Sequence, residues 1–504
     1  MSNKRILYLV LISHFAVRLI AALSTELSVD EAYYTMYGLY PSWSYFDHPP
    51  MVGWMIRLTT LNYYWNTEFT VRILPLVVGT ANLYLVYQIG KRFFNENIGL
   101  MALVMSAGSI YNSVVLGLFI LPDTPQSFLW LLAMYFFLSY IENQKIHWLW
   151  YFSFAVGLGL LAKYHNVFLL LGAGLYFILK SPQSLRSVVV WLALCFPMLF
   201  FLPVLYWNYH HEWLSFNFHG NRVGNDSFKI LWDYFFQEIG GQILYNNPFN
   251  FVMVVLVAVF GFNYRRRAFK NNKLVFLLAT GLPLALVVVL MSLFNKTLPH
   301  WSGPAYYSLF LIAALGWHYF QWSKKVLYWS YGFFVFFLLL ALVQIHTGFL
   351  NLSSTVDDPR MGRNDFSLDL YGWHQLSDKM DDLIALDQEA GLLDSNVVIY
   401  TRNWFPAGQL DYYIGYRKNR TLLVDGNMNE KHHYYFVNQY RQLDTLPRSA
   451  YFISSSRYNY NMSDELKEKY RVIGEPRKIV ITRRGRPVYF YSIYLLSDLK
   501  SAEK

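Results

Sequence analysis

Long apolar runs fill the first 347 residues of this 504-residue chain, and they constrain its fold more than any other feature. A helix that crosses a lipid bilayer needs roughly 20 mostly apolar residues. About eleven runs approach that length, with an uncertainty of one or two. They lie at 6–23, 71–90, 98–118, 125–141, 148–162, 166–179, 187–207, 249–262, 274–293, 302–319 and 326–346. The pattern predicts a multispanning α-helical membrane protein.

The loops between these runs carry a charge bias that predicts their orientation. Short basic loops are typical of the cytoplasmic side of a membrane protein. Here the basic residues fall in alternate loops: Lys4-Arg5, Lys91-Arg92, Lys145, Lys180 with Arg186, Arg265 to Arg267 with Lys270, and Lys324-Lys325. The amino terminus is therefore predicted to be cytoplasmic, with the first run retained as a signal anchor. The net charge of +10 arises mostly in these loops and gives no reason to expect nucleic-acid binding.

From about residue 351 the pattern changes to alternating short helices and strands. Helices are predicted near 376–390 and 407–416 and from 463, and strands at 397–400, 421–424, 450–454, 478–482 and 488–496. The chain is therefore divided into a membrane domain, 1–347, and a small α/β domain, 348–504. An odd number of spans places the second domain outside the cytoplasm. No Gly-rich loop opens its helices, which argues against nucleotide binding. The single cysteine, Cys195, permits neither an intrachain disulfide nor a cysteine metal site.

Two outer loops carry acids, each of which has two interpretations. Asp30 and Glu31 follow the first run, where they could cap a juxtamembrane helix. Alternatively, one of these carboxylates could take a proton from an acceptor hydroxyl. Asp123 lies between two prolines in the second outer loop, either as a helix cap or as a second functional acid.

Further polar residues are predicted on the same outer face. Asp47 and His48 precede two prolines, whose restricted backbone either forms a sharp turn or holds both side chains near a substrate. A scattered basic set could bind a phosphate at the bilayer surface, or could be hydrated or snorkelling. Its members are Lys163, His165, Arg222, Lys296 and His300, with Arg360 and Arg363 as weaker candidates. No spacing of these residues enforces a metal site.

Several segments together resemble a known family. They are VDEAYY (29–34), YFDHPP (45–50), LPDTP (121–125), LAKYHNV (161–167), KTLPHWSGPAY (296–306), and DDPRMG (357–362) with YGW (371–373). In this order and on one face, they resemble the bacterial membrane glycosyltransferases of family 39. That family belongs to the GT-C superfamily, which includes protein O-mannosyltransferases and the lipid A aminoarabinose transferase. The resemblance covers nearly the whole membrane part and is less specific in the C-terminal domain.

The resemblance implies an inverting enzyme of the bacterial inner membrane and cell envelope. Such an enzyme takes a sugar from a polyprenyl phosphate, typically undecaprenyl phosphate, and passes it to an acceptor such as lipid A or a surface glycan. By position, Asp30 would be the catalytic base, Glu31 would orient the site, and Asp123 would support the acceptor or the base. The implied substrate-binding residues are Tyr33, Asp47, His48, Lys163, His165, Lys296, His300, Arg360 and Arg363. Some members of the superfamily need a divalent cation and others do not, so a cation stays open as a cofactor.

Other functions remain to be separated from this one. A protein O-glycosyltransferase acting on Ser or Thr is the nearest alternative, because the sequence does not distinguish lipid, glycan and protein acceptors. Transport of a lipid or solute is an alternative of another class, although transporters tend to show paired repeats and mid-membrane charges that this chain lacks. A scaffold role with the α/β domain binding a partner is a third. Membrane lipids are expected partners in every case, and nucleic acid in none.

Overall fold

A computed structural model describes residues 2–223, 229–353, 358–441, 443 and 447–500. The chain falls into two compact units. The first, here called the helical unit, comprises Met1–Leu23 and Pro41–Leu338. The second, here called the sheet unit, comprises Ser24–Tyr40 and Leu339–Lys504. The sheet unit thus takes a segment from near the amino terminus as well as the whole C-terminal part. The predicted functional division into 1–347 and 348–504 stays a prediction.

The first part of the chain is helical throughout. In chain order its α-helices are α1 (Asn3–Ser24), α2 (Val29–Leu39), α3 (Met51–Thr59), α4 (Glu68–Phe93), α5 (Glu96–Gly108), α6 (Asp123–Asn143), α7 (Ile146–Leu160), α8 (Val167–Lys180), α9 (Val188–Cys195), α10 (Pro197–His210), α11 (Leu214–Val223), α12 (Trp232–Tyr245), α13 (Pro248–Gly261), α14 (Arg265–Lys270), α15 (Asn272–Ser292), α16 (Ala305–Tyr319) and α17 (Lys325–Thr347). A π-helical turn, Tyr111–Val115, follows α5, and 3₁₀ turns at Tyr164–Asn166 and Pro299–Ser302 precede α8 and α16.

Six helical stretches among the described residues are long and apolar enough to cross a membrane. They are Asn3–Ser24, Glu68–Phe93, Val188–His210, Pro248–Lys270, Asn272–Ser292 and Lys325–Thr347. Two shorter apolar helices, Ile146–Leu160 and Tyr164–Lys180, add to them. The prediction of a protein built from many apolar helices is confirmed.

Glycines allow α4 and α5 to approach each other closely. A Cβ atom built on Gly90 would lie 2.5 Å from the Cα atom of Gly99. A Cβ atom on Gly99 would lie 2.5 Å from the carbonyl oxygen of Tyr87. Small residues at crossing points are how helices in lipid bring their backbones into contact, since lipid gives them no hydrophobic drive to associate.

A buried arginine joins three parts of the helical unit. Arg18 of α1 is fully buried and donates to the carbonyl oxygen of Gly117 at 2.6 Å and to the hydroxyl of Thr80 in α4 at 2.7 Å. On the same helix, His14 lies 2.7 Å from the hydroxyl of Ser113 in the π-helical turn. A buried charge is costly unless its hydrogen bonds are satisfied. These contacts therefore hold α1 and α4 against the π-helical turn and Gly117, which follows it.

The sheet unit continues with helices and strands in alternation. In chain order they are α18 (Trp373–Glu389), β1 (Val398–Arg402), α19 (Trp404–Ile414), β2 (Thr421–Asp425), α20 (Met428–Lys431), α21 (Tyr434–Tyr440), β3 (Ala450–Ser455), α22 (Asp464–Lys469), β4 (Tyr470–Ile473), β5 (Arg477–Arg483) and β6 (Arg486–Leu499). Each helix and strand predicted from the sequence beyond residue 351 has a counterpart here. Strand β4 and the short helices α20 and α21 were not predicted.

The sheet is mixed, with strand order β2-β1-β3-β6-β4. Strand β1 pairs in parallel with β2 and β3, so the first half is built from crossover connections. Strand β6 is the longest and pairs antiparallel with β3, β4 and β5. It therefore joins the parallel half to the two C-terminal strands.

Helix α2 belongs to the sheet unit through its packing against α19. A Cβ atom built on Gly408 would lie 2.8 Å from the backbone nitrogen of Tyr33, so the two helices touch at their backbones. The ring of Tyr33 lies 4.9 Å from that of Trp404, and its hydroxyl accepts a hydrogen bond from the backbone N–H of His433 at 3.1 Å. These contacts bury Tyr33 almost completely.

Candidate active site

The centre of the candidate site is an ion pair buried in the helical unit. Asp123 is the first residue of α6, and Lys163 follows α7 in an extended conformation. The Lys163 ammonium donates to Oδ2 of Asp123 at 2.8 Å, and only 6% and 3% of the two side chains are exposed. Pro122 occupies the N-cap position of α6, and no side chain caps the helix there. The Asp123 carboxylate forms the ion pair with Lys163 instead.

The hydroxyl of Tyr111 holds the other oxygen of this carboxylate. Tyr111 begins the π-helical turn, and its hydroxyl donates to Oδ1 of Asp123 at 3.1 Å. Its ring lies directly against Gly303, where an added Cβ atom would be 2.2 Å from the ring. Asp123 is thus fixed from two sides, by a phenol and by an ammonium. Single turns of π-helix inside helical proteins occur frequently at functional sites.

Histidines from two other loops influence the same carboxylate. Burial raises the pKa of Asp123, but the Lys163 ammonium and the His300 imidazole outweigh it and bring the pKa down to about 2. His165, in the 3₁₀ turn that follows Lys163, acts in the same direction. His300 lies in the 3₁₀ turn Pro299–Ser302 before α16. Asp123 is therefore ionised at neutral pH.

The Asp-His-Pro-Pro loop lies beside this pair. Burial lowers the pKa of His48 to about 4; the Asp47 carboxylate opposes the shift and Lys163 adds to it. The backbone N–H of Tyr45 donates to the carbonyl oxygen of His48 at 3.1 Å, which is the sharp turn that the prolines predict. A further imidazole, that of His219 in α11, lies 6.4 Å from the His48 ring and 2.9 Å from the carbonyl oxygen of Asp47.

These seven side chains form what we call the polar cluster of the helical unit: Asp47, His48, Asp123, Lys163, His165, His219 and His300. All but His219 were predicted as site residues from the sequence. Neither His219 nor Tyr111 had a sequence signal, because both reach the site through the fold. Lys296, also predicted, lies four residues before His300 and is exposed.

The other predicted residues, apart from Arg222, lie in the sheet unit. Asp30 is exposed in the first turn of α2. Glu31 is buried, and its carboxylate accepts from both the backbone N–H and the hydroxyl of Ser28 at 3.0 Å, which closes a capping box. Arg360 and Arg363 are both exposed in the turn before α18. Arg222 lies on α11, but its side chain is outside the described part of the chain, as is Asp357.

Within the described residues, no group of three or more His, Cys, Asp or Glu side chains is arranged to hold a metal ion. Histidines of the polar cluster interact electrostatically with the carboxylates of Asp47 and Asp123, but they do not form such a group with them. What the cluster offers is an anchored ammonium in a site from which water is largely excluded. An ammonium has three N–H donors, and Asp123 takes one of them.

Comparison with solved structures defines the class of the fold. ArnT from Cupriavidus metallidurans bound to undecaprenyl phosphate superposes with a TM-score of 0.60 at 14% identity, over 96% of this chain and 97% of that chain. The apo state of ArnT gives a TM-score of 0.56 at 13% identity, over 98% of both chains. The protein therefore has the fold of ArnT.

Sequence comparison shows which proteins the chain resembles beyond its fold. Residues 47–207 match the family described as dolichyl-phosphate-mannose-protein mannosyltransferase. The lipid A galacturonosyltransferase RgtD of Rhizobium johnstonii is 23% identical over 313 residues, which cover 60% of this chain and 62% of that protein. The match thus spans less than two thirds of this curated relative. The resemblance predicted from the sequence motifs is confirmed: the chain is similar to a protein mannosyltransferase family, to a lipid A galacturonosyltransferase and, in fold, to ArnT.

Proposed function

We propose that this protein is an inverting glycosyltransferase that moves a sugar from a polyprenyl-phosphate donor, undecaprenyl phosphate in bacteria, to an acceptor outside the cytoplasmic membrane. The buried Asp123–Lys163 pair carries this proposal. A lipid-linked phosphate has to be neutralised at the membrane, and a cation held in place without water does this best. A fold shared with a protein whose structure contains undecaprenyl phosphate supports it.

In the proposed reaction, Lys163 stabilises the negative charge that develops on the departing phosphate. Lys296, His300, Arg360 and Arg363 are the further candidate ligands of that phosphate. A carboxylate takes the proton from the acceptor hydroxyl in a single displacement, so no covalent intermediate is needed. Asp123, with a pKa of about 2, is a poor proton acceptor. We therefore assign it to holding Lys163, and keep Asp30 as the proposed base with Glu31 orienting its helix.

Two acceptor classes have support from the relatives. The name of RgtD specifies lipid A, which favours a lipid acceptor. The description of the matched family specifies protein, which favours Ser or Thr hydroxyls. We propose lipid A or a similar surface glycolipid, because RgtD aligns over a longer part of this chain than the family does. Recovery of label in the lipid or in the protein fraction separates the two.

The proposed setting is the bacterial inner membrane. About eleven spans, an amino terminus in the cytoplasm and an extracytoplasmic α/β domain at 348–504 are parts of the same proposal. Reporter fusions placed after Lys145 and after Arg360 test the orientation: the first should be active on the cytoplasmic side and the second on the outer side. The reverse pattern contradicts the proposed orientation.

Transfer of radiolabelled sugars from undecaprenyl phosphate, in membranes that contain the full chain, tests the function. We expect the wild type to transfer label and Asp30→Asn to lose transfer. Asp464→Asn is a matched control, because Asp464 is also an exposed acid in the first turn of a helix of the sheet unit. Equal transfer by the wild type and Asp30→Asn removes Asp30 as the base. Transfer with and without a chelator decides whether a divalent cation is needed.

A further inference from the structure

Gln126 is a buried amide that the fold does not satisfy. It lies in α6, three residues after Asp123, and none of its side chain is exposed. Neither its Nε2 nor its Oε1 atom has a hydrogen-bond partner among the described residues. Gln242 of α12 provides the contrast, because its amide is buried too but both its nitrogen and its oxygen have a partner. Its Nε2 donates to Glu238 at 2.9 Å and its Oε1 accepts from Tyr306 at 2.7 Å.

Other unsatisfied polar atoms belong to the same region of the helical unit. In α6 itself, the indole N–H of Trp130, one further turn along, is buried without a partner. In α4, Asn82 donates to the hydroxyl of Ser127 at 2.7 Å, which leaves its Oδ1 atom buried without a partner. Residues three and four apart lie on one face of a helix, so Asp123, Gln126 and Trp130 share a face of α6. Most buried polar groups in folded proteins are paired, and such a set of exceptions calls for a partner from outside the chain.

The chemistry of the amide restricts that partner. A primary amide offers two donors and an acceptor, which match the hydroxyl groups of a sugar. A polyprenyl tail has no polar atoms, and a phosphate is bound better by the cations already present around Asp123. Three residues of an α-helix advance about 4.5 Å along its axis. Gln126 is therefore about one sugar ring away from the carboxylate that anchors Lys163.

We propose that Gln126 binds a hydroxyl group of the sugar carried by the lipid-phosphate donor, and that it contributes to the choice of that sugar. This inference rests on the proposed function. Lys163 holds the phosphate, and Gln126, about one turn further along α6 than Asp123, contacts the sugar attached to it. Gln126 is then a specificity-determining residue rather than part of the fold's own hydrogen-bond network.

Binding of two ligands to the purified full-length protein tests this inference. One is undecaprenyl phosphate without a sugar, and the other is a panel of undecaprenyl phosphates that carry galacturonic acid, mannose or aminoarabinose. For Gln126→Met we expect an unchanged affinity for undecaprenyl phosphate and an affinity for the preferred sugar-bearing lipid that is about tenfold weaker. Its melting temperature without ligand should equal or exceed that of the wild type, because an unpaired buried amide has been removed.

Gln242→Met is the matched control. It removes a bonded amide of the same type, so we expect a lower melting temperature without ligand and the wild-type ratio of the two affinities. Gln126→Asn serves as a second variant that keeps a polar group but shortens its reach, and it should also lose affinity only for the sugar-bearing lipid.

Each other outcome overturns the inference. If Gln126→Met lowers the melting temperature as Gln242→Met does and keeps both affinities, the amide is bonded within the fold, for example through a buried water. If both affinities fall equally, Gln126 acts on the phosphate. If the wild type binds neither ligand, the proposed function fails and this inference fails with it.

Discussion

The Asp123–Lys163 pair is a buried structural contact and also the centre of the proposed phosphate-binding site. Each charge is nearly excluded from water, so neither can be hydrated when its partner is removed. Removing water from two charges is expensive, and their attraction repays this only with good geometry and further hydrogen bonds. The Tyr111 hydroxyl supplies one such bond.

Variants of this pair should separate its two roles. We expect Asp123→Asn and Lys163→Gln each to destabilise the protein by about 3–5 kcal/mol, because each leaves one buried charge unpaired. The double variant Asp123→Leu with Lys163→Met should recover most of that stability but not sugar transfer. Melting temperatures in detergent and the transfer assay measure the two effects. A double variant that melts as low as the single ones contradicts this explanation.

His48 makes the stability of the protein dependent on pH. Its pKa falls from an ordinary 6.5 to about 4 on folding, so the unfolded chain binds more protons between these values. Stability should therefore decrease as the pH is lowered from about 6.5 to about 4. We expect His48→Gln to reduce the dependence of the melting temperature on pH across this window, measured in steps of about half a pH unit.

His147→Gln is the control for this measurement. His147 is exposed in α7, so its replacement should leave the pH dependence as in the wild type. Equal slopes for the wild type and both variants would show that His48 does not contribute to the acid sensitivity.

Six of the seven residues of the polar cluster could be predicted from the sequence, and the reason is topological. Charge alternation assigned Asp47, His48, Asp123, Lys163, His165 and His300 to outer loops, and loops at one end of a helix bundle can converge. The contacts themselves could not be predicted. That Lys163 faces Asp123, and that Tyr111 and His219 complete the surroundings, depends on how the helices between those loops pack.

At the scale of elements, the crossing of α4 and α5 depends on the absence of side chains. A Cβ atom added to Gly99 would collide with the backbone of α4. It would lie 2.5 Å from the carbonyl oxygen of Tyr87 and 2.8 Å from the backbone nitrogen of Lys91. Backbone atoms cannot rotate away as a side chain can, so a methyl group there forces the two helices apart.

Alanine at two glycines should therefore have opposite effects. We expect Gly99→Ala to lower the melting temperature because α4 and α5 must separate. Gly174→Ala in α8 should leave it unchanged or raise it, since nothing lies within 4 Å of that position and alanine favours a helix. Thermal unfolding of both variants in the same detergent provides the measurement. A loss of stability at Gly174 equal to that at Gly99 would contradict the role given to the close approach.

The strands of the sheet unit differ in how well the sequence predicts them. Strands β1 and β3 are almost fully buried apolar runs bounded by polar residues, which local patterns predict well. Strand β4 was missed because it follows α22 without a break and three of its four residues are exposed. Its strand conformation comes from pairing with β6, which no local pattern records.

At the scale of the whole molecule, the sheet unit combines segments that are distant in the chain. The sequence predicts a helix near 407–416 and allows a juxtamembrane helix after Asp30 and Glu31, but it gives no reason to pack one on the other. Contact between Tyr33 and Trp404 arises only when both segments are in place. The resemblance implies a substrate-binding role for Tyr33, and in the structure its ring packs against Trp404 within the sheet unit.

Truncation tests how far the sheet unit depends on its last strand. Because β6 pairs with β3, β4 and β5, we expect a chain ending at residue 485 to lose the protease resistance of the sheet unit. A chain ending at residue 500 keeps β6 whole and should be cleaved as the full chain is. Limited trypsin digestion with mass mapping of fragments from 358–485 measures this. Equal protection of both truncated chains would show that β6 is dispensable.

The packing of α2 on α19 has a consequence for how the protein is made. The ribosome completes α2 more than 300 residues before it reaches Trp404. At the usual pace of bacterial or eukaryotic translation, about 5–20 residues per second, this delay is on the order of tens of seconds. Throughout that time the tyrosine-rich face of α2 has no native partner. A nascent chain that stops short of Trp404 therefore carries Asp30 on a helix without its packing surface, and such a product is a natural target for quality-control proteases.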